Sequence, residues 1–173
     1  MNWEACFSLV WDFREKYGES WKTPDTLDSL RYAYSEMGEA YSEFLREKRS
    51  TDLRNRDKVP EFDEELADCA IMLITAVGNN PVPMNDAQKD KAISERIMNV
   101  VTIDRLSNFV AESLYEYAIL DNKDSSGIIW DFYSYLALLM IDRMLSDRDC
   151  DLEDMIARKL AKIAERIEGS RDE

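Results

Sequence analysis

Histidine is absent from the 173 residues. That removes the usual general base near neutral pH, the commonest zinc ligand and the imidazole that activates serine or cysteine nucleophiles. Glycine and proline are scarce, at 5 and 4 residues. Few tight turns can be built from so little of either, which points to long helices and an all-α protein. Cys6, Cys69 and Cys150 are isolated. Cys6 and Cys69 fall within apolar helical patterns, so buried reduced thiols are expected rather than a disulfide framework. No apolar run is long enough to span a bilayer. The start, MNWEACFSLVW, carries Glu4 and no basic region ahead of its apolar residues, so no secretory leader is expected and the protein is placed in the cytoplasm. Positive charge is in deficit too: 22 Lys and Arg against 36 Asp and Glu, a net −14. Such a field repels nucleic acid and anionic membrane, and neither is expected as a partner. A small anionic substrate would need metal ions or a local basic patch in order to approach.

What is present favours a folded chain. Hydrophobic residues make up 45% and charged residues 34%, enough apolar content for a core, and the length suits one domain. The chain reads as a single all-α helical bundle over residues 1–173, with an acid-bearing half at 19–80, a degenerate helical repeat at 85–148 and a C-terminal helix at 150–168. A first helix is expected from Asn2 to Tyr17, with Trp3, Phe7, Val10, Trp11 and Tyr17 as its apolar stripe and Gly18 as its stop. Thr23 and Pro24 suit the cap and first position of a second helix running to about Arg49. Pro60 starts a third, with an apolar run to Val77, and GNNPVP from Gly78 is the clearest break. Helical character resumes near Asp86 and reaches Leu120, with a bend around Val100 to Thr102. IIWDFYSYLALLMIDRML is apolar on all sides and suits a buried bundle member. Asp149 or Asp151 can cap the last helix.

Two features bear on chemistry. The connector between the second and third helices carries Arg46, Lys48, Arg49, Arg54, Arg56 and Lys58. It is either a solvated loop or a lid whose cations meet phosphates. The second helix bears Glu36 and Glu39 one turn apart, with Glu43 a turn further on; the third bears Glu65 and Asp68 one turn apart. Residues at i and i+3 share a helix face, so packing the two faces together would bring four carboxylates into one small volume. Like charges raise one another's pKa there, and a divalent cation with a preference for oxygen, Mg²⁺ or Mn²⁺, relieves the repulsion.

A shift of 76 residues aligns TLDSLRYAYSEMGEAY, from Thr26, with TIDRLSNFVAESLYEY, from Thr102. Glu36 meets Glu112, but Glu39 meets Tyr115, and Ser134 or Tyr135 stands where Asp68 would be. The alignment is either an old duplication, one half of which lost its acids, or a chance match of amphipathic helices.

The pair E-M-G-E from Glu36 and E-L-A-D from Glu65, one helix apart, resembles the MazG-like nucleoside triphosphate pyrophosphohydrolases, a superfamily of all-α enzymes that includes the dimeric dUTPases and phosphoribosyl-ATP pyrophosphatase. SWKTPDTLDSL ahead of the first motif and the lysine and arginine of the last helix agree with that pattern. Ser35 stands where the family usually has a further glutamate, and Ile163 where members often have asparagine. The resemblance implies a metal-binding helix pair at 19–80 and Mg²⁺, or Mn²⁺, held by Glu36, Glu39, Glu65 and Asp68. It implies metal-activated water attacking between the α and β phosphorus atoms of a nucleoside triphosphate, which releases pyrophosphate. Glu36 or Glu39 would take the proton from the water, and Lys22, Lys159 and Arg166 would contact phosphate. Trp21 would either stack on the base or pack in the core. Asn79 and Asn80 would either read a base edge or serve a turn. Dimers are usual in the family, so a homodimer is expected. The competing readings are an acidic helical protein that binds a basic partner without metal, and an inactive homologue.

Overall fold

The computed structural model describes residues 2–19, 22–49, 61–79, 101–120 and 128–170. Among these the chain is all-α: α1 (Trp3–Tyr17), α2 (Thr26–Arg49), α3 (Glu61–Asn79), α4 (Ile103–Leu120), α5 (Ile128–Ser146) and α6 (Leu152–Gly169). None of the described helices is long and apolar enough to cross a membrane.

The helix starts follow side-chain chemistry. Asn2 caps α1, its Oδ1 accepting from the Ala5 N–H. The cap of α2 is Asp25 rather than Thr23: the Asp28 N–H donates to Asp25 Oδ1 at 2.8 Å, and Thr23 and Pro24 lie before the helix. A carboxylate there also meets the positive end of the helix dipole, which the Thr23 hydroxyl would not match. Of the two candidates for α6, Asp151 accepts from the Asp154 N–H at 3.2 Å, while Asp149 takes a left-handed turn conformation (φ 59°) between α5 and α6. An aspartate tolerates that region better than most residues.

Two antiparallel helical hairpins form the bundle. In the first, Phe44 near the end of α2 packs on Phe62 at the start of α3, with ring centroids 5.6 Å apart. In the second, Tyr117 late in α4 meets Trp130 early in α5 edge to face. The hairpins join through α2 and α4, where the Tyr41 hydroxyl donates to Asp104 Oδ1 at 2.7 Å. Between them Leu30, Met37, Leu66, Leu73, Leu106, Leu138 and Ile141 are fully enclosed. Each contributes roughly 1.5–3 kcal/mol by leaving water. α5 supplies buried residues on several faces, from Trp130 to Leu145, as its even apolar spread predicts.

α1 and α6 pack outside the α2–α3 hairpin. Gly78, expected as a break, lies inside α3. A Cβ there would run into the indole of Trp11, so the glycine is what lets α1 approach the end of α3. A second fastening lies at the opposite end. The Arg148 guanidinium, just past α5, bonds both oxygens of Glu47 on α2, at 3.1 and 2.9 Å. It also lies 2.5 Å from Asp63 on α3 and covers the ring of Phe62. Asp63 is almost wholly buried. Trp21, Asn80, Arg54, Arg56, Lys58 and the helical stretch expected over 86–100 lie outside the described residues.

Candidate metal centre and the cavity beside it

Glu36 follows the stripe of Leu30, Ala33, Met37 and Ala40 that α2 buries against α3. Glu65 and Asp68 bracket Leu66 and Ala67, both fully buried, on α3. The packing that encloses the apolar residues therefore draws the flanking acids together at the seam. Glu36, Glu65 and Asp68, each half-buried, offer carboxylate oxygens that all lie within 4.8 Å of one another. Glu39, one turn along α2, is exposed and stands outside this close group, although its charge acts on all three.

The electrostatics are those of a site short of positive charge. Burial pushes the Glu36 carboxyl up from 4.5 to about 7, and the charges of Asp68, Glu39 and Glu65 push the same way. Burial likewise raises Glu65 and Asp68, against the opposing pull of Lys159. Every donor is a carboxylate oxygen and none is nitrogen or sulfur. The set therefore fits a hard divalent ion, Mg²⁺ or Mn²⁺, better than zinc or a softer metal.

α6 supplies cations. Lys159 Nζ lies 2.6 Å from Asp68 Oδ2 and 3.5 Å from Glu64 Oε2. Burial works against its charge, but the bond to Asp68 and the charges of Asp68, Glu65 and Glu64 outweigh it and hold its pKa above the usual lysine value. Lys162 bonds Glu64 Oε1 at 2.6 Å, and that bond keeps Glu64 below its ordinary range. Glu64 is thus committed to lysines and Glu43 to Arg46. Arg166 is exposed in the last turn of α6. Among the described residues, no ion pair joins it to the three carboxylates.

Beneath the seam lies Cys69. Its thiol donates to the Ala33 carbonyl at 3.4 Å. Burial, and then the charges of Glu36 and Asp68, hold it strongly protonated. Cys6 is buried and Cys150 half-buried, and neither is in a disulfide.

Glu36 also faces an open cavity of about 1230 Å³. Arg14, Lys22, Asp28, Tyr32 and Tyr117 share its wall. Small-molecule pockets ordinarily measure roughly 300–1,000 Å³. Sequence reasoning placed Lys22 near substrate but missed Arg14. This arginine is buried, donates to Thr75 Oγ1 at 3.2 Å, and has its pKa lowered to about 10 by desolvation. A signal for it was available: Arg14 continues the apolar stripe through Val10 and Tyr17, and a charged residue on such a stripe must be placed against a partner or a cavity.

The 76-residue shift keeps one acid, Glu112, opposite Glu36, and beside it the second hairpin is joined by hydroxyls rather than carboxylates. Ser113 and Ser134 share a buried hydroxyl–hydroxyl bond at 2.5 Å, and Ser113 donates to the Trp130 carbonyl. Tyr115, in the place of Glu39, is exposed.

No protein-family profile, no curated protein sequence and no solved structure matches the chain.

Proposed function

We propose that the protein is a Mg²⁺-dependent nucleoside triphosphate pyrophosphohydrolase of the MazG-like kind. The observation that carries this reading is the double membership of Glu36: it belongs to the three-carboxylate group and to the wall of the cavity that holds Arg14 and Lys22. A cation site and a space large enough for a small-molecule ligand thus share one side chain. In this reading Glu36, Glu65 and Asp68 hold the ion. When bound, Mg²⁺ supplies positive charge to the triphosphate and makes water more acidic.

The chain's own residues do the rest. Lys22, at the cavity mouth, and Lys159, at the carboxylates, donate to phosphate oxygens. Tyr32 and Tyr117 offer ring surfaces to the base. Glu39, exposed beside the three acids and left out of the close group, accepts the proton as water oxygen bonds to the α phosphorus. The bond from that phosphorus to the bridging oxygen breaks, and pyrophosphate leaves. No histidine is needed.

The test is pyrophosphate release from a panel of nucleoside triphosphates, with and without Mg²⁺, for the wild type, Glu36→Gln and Glu39→Gln. Release that requires Mg²⁺ and falls in both variants is expected. Release that survives chelation and both substitutions overturns the reading. Absence of release from every nucleotide, with no Mg²⁺-induced rise in melting temperature, favours the metal-free interaction protein instead.

A further inference from the structure

We infer that Lys159 is a built-in competitor for the divalent cation: its ammonium holds Asp68 when the carboxylates are metal-free and passes to Glu64 when an ion takes them. This rests on the metal site proposed above and adds a moving part to it. The geometry supplies both stations. Nζ is 2.6 Å from Asp68 Oδ2 and 3.5 Å from Glu64 Oε2, so the transfer is a short swing of a flexible four-carbon stem. Glu64 is prepared to receive it. Lys162 fixes that carboxylate through Oε1, which leaves Oε2 toward Lys159.

The charges supply the direction. A divalent ion on Asp68 sets two positive charges against the ammonium at close range, where repulsion between like charges is strong in a half-buried setting. The lysine side chain is 16% exposed, so water does little to screen it. Lys159 therefore lowers the apparent affinity for metal, since each ion must displace it. Once displaced, the ammonium stands beside the carboxylates rather than on them, free to turn to a phosphate. A metal that brings a triphosphate with it thus binds better than the metal alone.

The experiment is Mn²⁺ binding by calorimetry, without nucleotide, to the wild type, Lys159→Met and Lys16→Met, an exposed lysine paired with Glu168. Lys159→Met is expected to bind Mn²⁺ at least tenfold more tightly than the wild type, and Lys16→Met within threefold of it. Equal or weaker binding by Lys159→Met overturns the exchange while leaving the metal site standing. Absence of binding by the wild type and by Lys159→Met removes the metal site and the exchange together. A second measurement needs no variant: acylation of Lys159 by acetic anhydride, followed by mass spectrometry, should quicken severalfold when Mn²⁺ is added. An unchanged rate in a protein that binds Mn²⁺ overturns the proposal, even if Lys159→Met fails to fold.

Discussion

Glu36 on α2 and Asp68 on α3 hold carboxylate oxygens within 4.8 Å of one another across the seam of the first hairpin. Burial, and then the charge of Asp68, raises the cost of charging Glu36, and the contact sets two opposite expectations for one substitution. Glu36→Gln removes a negative charge from the group, so the metal-free protein should melt at the wild-type temperature or above it. On the proposed function the same change also removes a ligand of the ion, and pyrophosphate release is then expected to fall by about a hundredfold or more. Melting in EDTA and a pyrophosphate assay check the two halves.

Stability without metal should depend on pH in a defined sense. Glu36 keeps its proton up to about pH 7 in the folded chain, against 4.5 ordinarily. Between those values the folded state binds more protons than the unfolded one, so stability falls as pH rises through the window and levels off above it. Glu65 and Asp68, also raised by burial, add in the same direction; Glu64, held low by Lys162, opposes. Urea titrations in EDTA at pH 5 and pH 7.5 should show the loss, and Glu36→Gln should flatten it. Saturating Mg²⁺ should flatten it too, because a cation makes the charged form of the carboxylate the favoured one.

Arg148 should be the costliest surface arginine to remove. Its guanidinium is the counter-charge of Asp63, which is buried to about 1% exposure. Arg148→Ala leaves that carboxylate enclosed and uncompensated, a loss of roughly 3–5 kcal/mol. The pair Arg148→Met with Asp63→Leu should cost less than the single change, because neither charge then remains. Denaturant melts of the wild type and the two variants test this.

Gly78→Ala should destabilise the protein even though alanine is the better helix former. Its helical gain is about 1 kcal/mol. Overpacking against the Trp11 indole costs roughly 1–3 kcal/mol, and α1 must shift to admit the methyl group. Combining Gly78→Ala with Trp11→Leu should recover part of the loss, and the double-mutant cycle measures it.

The helical character of the chain was legible in its sequence because it is local. Apolar residues recur at helical spacing, and so little glycine or proline is present that few other structures compete. Glu36, Glu65 and Asp68 were legible for the same reason: their spacing sets each beside an apolar stripe, and burying the stripes forces them together. Glu39 had the same spacing as Glu36 but faces outward, because helix rotation is fixed by the packing of Ala33, Met37 and Ala40. The network of Arg148, Glu47 and Asp63 was not legible. Its partners lie as far as 101 residues apart, and no local pattern marks a pair made by tertiary approach. Gly78 reads locally as the start of a break because glycine is a poor helix former. Only the indole of Trp11, supplied by a distant helix, shows why a glycine is needed inside α3.

Cys69 gives the protein a native spectroscopic reporter. Its S–H bond is buried one residue from Asp68, anchored to the Ala33 carbonyl and polarised by the charges of Glu36 and Asp68. The S–H stretch absorbs in an infrared window that other protein groups leave clear, and its frequency follows the local field. Filling or emptying the carboxylate group should therefore move one vibrational band, with no label attached and no residue changed. Cys6, whose neighbouring charges are Glu153, Asp151 and Asp142 instead, serves as the internal reference.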